Sequence, residues 1–247
     1  MLSSARRNQL AYRNIKRQEM TSPPSREMLN ARPRRPFRTG RNWTKADIFL
    51  WEEGGSRLAI KDYAARPAWI RMTLGRYLVS RECAAYQRLQ GIPGVPPFAG
   101  RIDSYAFAVE FVEGADLSRA RRGEVQARLF ERLLDLLAAV HRAGVAQGDL
   151  HHRDVIVGPS GDPFLVDFST TFFLGPRTGW LRRRLFEMAC ASDRRAALKL
   201  KGRHVPEALT DEEKRVLDHP PAWYRLGKAT RRLLCGMRRG RGDPAAH

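Results

Sequence analysis

The chain has 247 residues, 43% of them hydrophobic, with a formal net charge of +19. That is enough apolar material for one large domain or two small lobes with a real core. No apolar run approaches the ~18 residues that span a bilayer, and three scattered cysteines (Cys83, Cys190, Cys235) support neither a disulfide framework nor a zinc knuckle.

The charge is uneven. Residues 1–45 hold twelve Lys/Arg against Glu19 and Glu27, a net +10. Residues 177–204 hold nine against Glu187 and Asp193, a net +7, and residues 221–247 hold seven against Asp243, a net +6. The middle is therefore neutral to slightly acidic. Such a balance favours anionic partners: nucleic acid, lipid headgroups or phosphorylated substrates. The bland alternative is a solvated, arginine-biased surface.

In chain order, residues 1–43 read as a basic, disordered arm. An organelle transit peptide is the competing reading of its first residues, but TSPPSREMLNARPRRPFRTGR keeps the same character for twenty more. Order is expected to begin near Ala46. ADIFLWEE, Gly54-Gly55 and SRLAIKDY predict two strands joined by a glycine turn. A helical region follows from Pro67 to about Leu89, with Gly75 as a break. RIDSYAFAVEFVEG predicts a strand pair ending at Gly114. Residues 123–142 predict a helix with Val125, Leu129, Leu133, Leu136, Leu137 and Val140 on one stripe and Gly144 as its stop. A short strand at Val155–Val157, the turn PSGDP and the strand FLVDF come next, then a mostly helical, basic remainder. The expected divisions are 1–43 (arm), 44–114 (first lobe) and 115–247 (second lobe), with a ligand cleft between the lobes.

Glu82 stands out in the first helical region. It shares a face with Leu78, Ala85 and Leu89, and a carboxylate on an apolar stripe needs a cation or a donor. Lys61 has the mirror problem, because strand alternation puts it on one face with Ala59. Pairing Lys61 with Glu82 resolves both.

The run GDLHHRDVIVGPSGDPFLVDFS carries Asp149, Asp154 and Asp167 at separations of five and eighteen residues from the first. A hairpin brings Asp154 and Asp167 to one end. Two hard oxygen ligands with few others suit magnesium, which takes its remaining oxygens from water and phosphate. Asp149 is left to orient a hydroxyl and accept its proton. His151 and His152 are read as structural or substrate-contacting. A His/Asp metal cluster is the weaker alternative, since no third histidine motif supports it. Asp193 is read as an ordinary first-turn acid after the N-cap Ser192, the alternative being a bond back to the Asp149 loop. RTGWLRRRLF either meets an anionic acceptor or headgroups, or is a solvated face with Trp180, Leu181 and Leu185 packed inward.

These residues together resemble the protein-kinase-like superfamily over about residues 46–170. The resemblance implies an α+β, two-lobed fold with a small antiparallel-sheet first lobe and one helix, followed by a reduced, mostly helical second lobe. It implies ATP and Mg²⁺ as cofactors. Lys61 would hold the α/β-phosphates and pair with Glu82, and Asp149 would be the catalytic-loop acid. Asp154 stands where the family has Asn, and Asp167-Phe168-Ser169 where it has Asp-Phe-Gly. Gly54, Gly55 and Ala59 belong to the nucleotide-binding positions, and Glu110-Phe111-Val112 would be the hinge, Glu110 and Val112 meeting adenine through the backbone. The departures are the shortened glycine loop, Asp154, Ser169 and the missing Ala-Pro-Glu. The chain looks most like the compact bacterial branch: lipopolysaccharide (Kdo/heptose) kinases and the related RIO-type and aminoglycoside-phosphotransferase-like enzymes. The implied acceptor is a lipopolysaccharide-core sugar or a protein Ser/Thr. The expected place is the cytoplasm, with the basic arm meeting an anionic membrane surface. A pseudokinase that holds nucleotide without chemistry is the alternative. A nucleic-acid-binding role ranks last, since no stacking aromatic array accompanies the arginines.

Overall fold

The computed structural model describes residues 22–32, 36–38, 45–121, 124–175 and 178–221. Most of the expected arm, the basic segment beyond residue 221 and Cys235 lie outside the described residues. In chain order the elements begin with α1 (Arg26–Ala31), β1 (Pro36–Arg38), β2 (Asp47–Glu53), β3 (Ser56–Asp62) and α2 (Ala68–Ile70). A π-helical turn (Arg71–Gly75) leads into α3 (Arg76–Arg88), followed by β4 (Phe98–Arg101), β5 (Ala106–Glu110) and β6 (Ala115–Asp116). Then come α4 (Ala127–Arg142), β7 (Val145–Ala146), β8 (Val155–Val157), β9 (Pro163–Leu165), β10 (Phe172–Phe173), α5 (Trp180–His204) and α6 (Asp211–Asp218).

Contacts divide the chain into two units: residues through 115 with Asp154–Thr171, and Asp116–Arg153 with the residues from 172 onward. The division expected at residue 114 follows chain order, whereas the β8–β9 hairpin groups with the first unit. The fold is α+β, with an antiparallel sheet in the first unit and a mostly helical second unit, as in kinase-like proteins. Among the described residues no helix is long and apolar enough to cross a membrane.

In the first unit the sheet order is β1-β2-β3-β5-β4, every neighbouring pair antiparallel. The β2–β3 turn is two residues long, with Gly54 at φ 56° and Gly55 at φ 82°. Two consecutive positive φ values define the hairpin turn that matches strand twist, and glycine enters it without steric cost. Alternation then sorts the sheet. Leu58, Ile60, Ala108 and Trp51 form one apolar face, closed by Leu29 of α1. Lys61 and its cross-strand neighbour Phe107 belong to the other face.

The closure by Leu29 corrects one expectation. Residues 26–31 fall inside the stretch read as a disordered arm, yet they form a helix capped by the Ser25 hydroxyl, which accepts from Met28 N–H at 3.3 Å. Arg26 locks it down, donating to Asp62 at 2.6 and 3.2 Å and to Asp103 at 2.6 Å. Without this segment the face bearing Trp51, Leu58 and Ile60 would lie open. Burying Leu29 alone stabilises by roughly 1.5–3 kcal/mol.

In the second unit α4 begins at Ala127 and presents Leu129, Leu133, Leu136, Leu137 and Val140 as its buried stripe. Gly144, at φ 73°, ends it, its N–H reaching the His141 carbonyl at 2.8 Å. β7 pairs antiparallel with β10. α6 is held to α5 by Lys201, which donates to Glu213 at 2.7 and 2.9 Å, and by Arg195, which donates to the Val216 and Leu217 carbonyls at the end of α6.

Helix α5 overturns two readings. It starts at Trp180 with Gly179 as its N-cap, so Asp193 lies in its middle and Ser192 caps nothing. Trp180, Leu181 and Leu185 are exposed rather than packed inward. The inward face is instead carried by Phe186, Ala189 and Asp193.

Candidate active site

The first unit brings three distant charges to one point. The Lys61 ammonium donates to both oxygens of Glu82 at 2.7 Å and to Asp167 Oδ1 at 3.0 Å. β3 delivers Lys61 to the sheet face opposite Ile60, and α3 delivers Glu82 from its buried side with Val79, Cys83 and Tyr86. Phe168 places Asp167. It is fully buried and meets the Tyr86 ring edge-on at 5.1 Å, one helical turn beyond Glu82. The aromatic cluster of Tyr86, Phe98 and Phe107 continues under the sheet.

Two acids share one cation here, and their surroundings differ. Burial pushes the Glu82 carboxyl up to about 7, against the pull of Lys61, with Asp167 adding to the rise. Burial also works on Asp167, but Lys61 and Ser169 outweigh it and hold that carboxyl well below the usual range. Asp167 is also the more open of the two, its side chain 38% exposed against 1% for Glu82. Glu82 is thus the dry anchor of Lys61, and Asp167 is the acid left open to solvent.

A pH dependence follows. The folded-state value of Glu82 lies above the 4.5 of a free glutamate, so its contribution to stability is complete below pH 4.5 and is lost as pH rises through about 7. Asp167 has the opposite sign: its contribution is present above pH 3.8 and disappears only in stronger acid. Between pH 5 and 8, Glu82→Gln should therefore flatten the fall of stability with rising pH, by up to about 1.4 kcal/mol per pH unit. Urea unfolding of both proteins across that range checks this; parallel pH profiles would remove the assignment.

Asp167 is the non-glycine residue with positive φ among the described residues, at 65°. Such a conformation costs of order 1–3 kcal/mol and persists where the surroundings over-determine it. Phe168 in its aromatic pocket and the ion pair with Lys61 provide that. The left-handed turn thus falls on Asp167 and not on Ser169, so the side chain at the position where kinases have glycine meets no positive-φ strain. Ser169 N–H points back to Asp167 Oδ1 at 3.3 Å.

Asp154 precedes β8, opposite Val166, whose N–H donates to the Asp154 carbonyl at 2.9 Å. Asp154 and Asp167 therefore sit at the same end of the β8–β9 hairpin. Gly114 is also held by this hairpin: at φ 142°, any Cβ there would overlap the Val157 carbonyl. Ala59 lies on the Lys61 face, half-buried and opposite Val109. Glu110 ends β5, its N–H bonded to the Pro97 carbonyl, and Phe111 N–H donates to Arg57 O, both at 2.9 Å. The Arg57 guanidinium lies 4.7 Å over the Phe111 ring, so the stretch from Glu110 to Val112 is tied to the start of β3.

Asp149 belongs to the second unit. His151 Nε2 lies 3.4 Å from Asp149 Oδ2, and both side chains are exposed. His152 is partly buried and harder to protonate than a free histidine, through burial and the nearby Arg153 and Arg203. Among the described residues no three His, Cys, Asp or Glu side chains gather as a metal cluster.

The loop that carries Asp149 is anchored by Asp193: of the two expectations for this acid, the bond back to the loop holds and the first-turn role does not. It is fully buried. Its Oδ2 accepts from Gln147 N–H at 2.8 Å and lies 3.1 Å from His141 Nε2, while Oδ1 accepts from Gly148 N–H at 2.7 Å. The signal was in the sequence. Asp193 shares a helix face with Phe186, Ala189, Ala197 and Leu200, the same acid-on-an-apolar-stripe pattern that singles out Glu82.

The donor set suits a nucleotide with a hard cation. One ammonium is held by a dry carboxyl group and by a second, more exposed carboxylate, and another acid lies at the same end of the hairpin as the second. No protein-family model matches the chain. The chain is 27% identical over 164 residues to a 3-deoxy-D-manno-octulosonic acid kinase of Xylella fastidiosa (strain M12), covering 63% of this chain and 60% of that protein. The protein of the same name from strain 9a5c is 26% identical over 164 residues, with the same coverage. A shorter stretch of 69 residues, 24% of this chain, is 46% identical to a putative cyclin-dependent kinase F-2 of Oryza sativa subsp. japonica and covers 21% of it. The sheet, the Lys61–Glu82–Asp167 cluster and these likenesses together support a protein-kinase-like superfamily. Over the longer stretch the similarity is to 3-deoxy-D-manno-octulosonic acid kinases, and the chain spans about 60% of the length of those curated relatives.

Proposed function

We propose that the protein is an ATP- and Mg²⁺-dependent phosphotransferase acting on a hydroxyl, with a lipopolysaccharide-core sugar of the 3-deoxy-D-manno-octulosonic acid kind as acceptor. The observation that carries this reading is the Lys61 ammonium held at 2.7 Å by Glu82 and at 3.0 Å by Asp167. Such catalysis is mostly positioning and charge stabilisation, and a fixed ammonium supplies both. In this reading Lys61 orients the α/β-phosphates, and Glu82 keeps the ammonium from swinging away. Gly54, Gly55 and Ala59 line the nucleotide, and the backbone of Glu110 and Val112 meets adenine. Asp154 and Asp167 hold the cation, which neutralises charge on the transferred phosphate when bound. Asp149 orients the acceptor hydroxyl and takes its proton, and Asp193 keeps the loop before it rigid.

Labelled ATP offered with lipopolysaccharide core, a protein substrate and no acceptor tests both steps. Asp149→Asn should lower transfer to the sugar by at least about a hundredfold while leaving ATP affinity nearly unchanged, because it removes a proton acceptor and not a phosphate contact. Equal label from both proteins would remove the assignment. Label on the protein substrate alone would move the acceptor to Ser/Thr.

A second reading, a nucleotide-binding module without transfer, is favoured by one observation: the β2–β3 turn has only the two residues Gly54 and Gly55 to cover phosphates. It predicts ATP binding that ignores magnesium and persists in Asp154→Ala. The phosphotransferase reading predicts that both manipulations weaken binding.

A further inference from the structure

The first turns of α5 are built unlike the rest of that helix. Farther along, Phe186, Ala189, Asp193, Ala197 and Leu200 form a buried face. Before Phe186, six consecutive residues, Trp180 to Leu185, are exposed. Three are large and apolar: Trp180 at 77%, Leu181 at 58% and Leu185 at 46%. The other three are Arg182, Arg183 and Arg184. The acid nearest them in sequence is Glu187, an exposed partner 3.7 Å from Arg184. Phe172 adds a further exposed ring, 46% open, from β10, a strand that packs beside α5.

Exposed apolar side chains standing singly need no explanation, but this group is contiguous and threaded with cations. A partner protein core would leave three guanidinium groups to desolvate. Water leaves a tryptophan and two leucines exposed. A surface with a negative outer layer and an apolar layer beneath accommodates both kinds of side chain at once. Tryptophan prefers that boundary, and arginine stems lie along apolar material while their heads stay wet. Leu181, Leu185 and Met188, at offsets of four and seven, fall on one side of the helix, so its start can lie in the plane of such a surface.

We infer that the segment from Trp180 to Leu185 is a docking surface for an anionic phospholipid bilayer, the apolar side chains entering the headgroup zone and Arg182–Arg184 meeting lipid phosphates. This goes beyond the phosphotransferase reading and stands without it, since binding to lipid requires no transfer. It also differs from the expectation that the basic arm meets the membrane, because it places the contact on a folded helix.

The test is flotation of the full chain with vesicles of phosphatidylcholine alone or with about one-third phosphatidylglycerol. Binding is expected to the anionic vesicles, to weaken in 0.5 M salt, and to fall at least about tenfold in Arg182→Gln/Arg183→Gln/Arg184→Gln. Trp180→Ser/Leu181→Ser should weaken it too, and brominated lipid should quench tryptophan fluorescence less in Trp180→Phe than in the parent. All the altered side chains are exposed, and an unchanged circular-dichroism melt verifies that the variants fold. Wild-type affinity in the arginine variant would overturn the proposal and move lipid binding to another basic segment. It would equally be overturned if the variants lost nucleic-acid binding or self-association while vesicle binding stayed intact.

Discussion

Lys61→Met is expected to destabilise the protein by about 3–5 kcal/mol at pH 8 and by distinctly less at pH 6. The substitution leaves Glu82, fully buried, and Asp167 without the cation between them. An unpaired buried carboxylate costs more than an intact pair contributes, because its desolvation is no longer offset. Glu82 has a way out. Its carboxyl already titrates near 7 with Lys61 present, and removing the ammonium raises it further. At pH 6 it takes a proton and the penalty shrinks. Asp167, being more exposed, keeps water as a partner and adds little. Urea midpoints of both proteins at the two pH values measure this, and an equal loss at pH 6 and 8 would contradict it. On the phosphotransferase reading the same change lowers transfer by about 10²–10³-fold, the usual effect of deleting one preorganised donor to developing charge.

Asp193→Ala should act through the loop it holds. Two backbone N–H groups, of Gln147 and Gly148, lose their acceptor, and His141 loses its partner. Hydrogen bonds to a charged acceptor contribute about 1.5–3 kcal/mol each, so a loss of about 3–5 kcal/mol is expected after partial relaxation. The loss should be local first. Amide exchange at Gln147 and Gly148 should speed up far more than in α4. Asp193→Asn restores less than half, because an amide offers one acceptor oxygen to two donors and turns its NH₂ toward the second. On the phosphotransferase reading, since Asp149 follows Gly148 directly, transfer should fall by more than the stability change explains, with kcat affected before KM. Unchanged exchange at Gln147 and Gly148 in Asp193→Ala would show that the loop is held by something else.

Much of the architecture was legible as local pattern. The β2–β3 hairpin follows from alternation on both sides of Gly54-Gly55, and α4 from its leucine stripe. Lys61 and Glu82 each announced themselves as a charge on an apolar face, and that argument needs nothing but period 2 and period 3.6. The same argument applied to Asp193, where a plausible N-cap at Ser192 competed with it. A cap is a local reading, and it failed because α5 runs unbroken from Trp180, a matter of which face packs inward. α1 was missed for a related reason. Six residues between proline-rich and arginine-rich stretches carry no periodic signal, and what orders them is the open back of a sheet built from residues farther along.

The amino-acid order by itself determined the β2–β3 hairpin with its glycine turn, the α4 stripe and its glycine stop, and which charges, Lys61 and Glu82, could not stay alone. Those are consequences of chain geometry over a few residues. Tertiary structure alone decided that Asp167, rather than Ser169, takes the left-handed turn and that Arg26 fastens the N-terminal helix to Asp62 and Asp103. It also decided that Trp180, Leu181 and Leu185 stay outside. Each of these depends on which surfaces are already covered when the segment arrives, and burial is a property of the packed molecule that no short window of sequence contains.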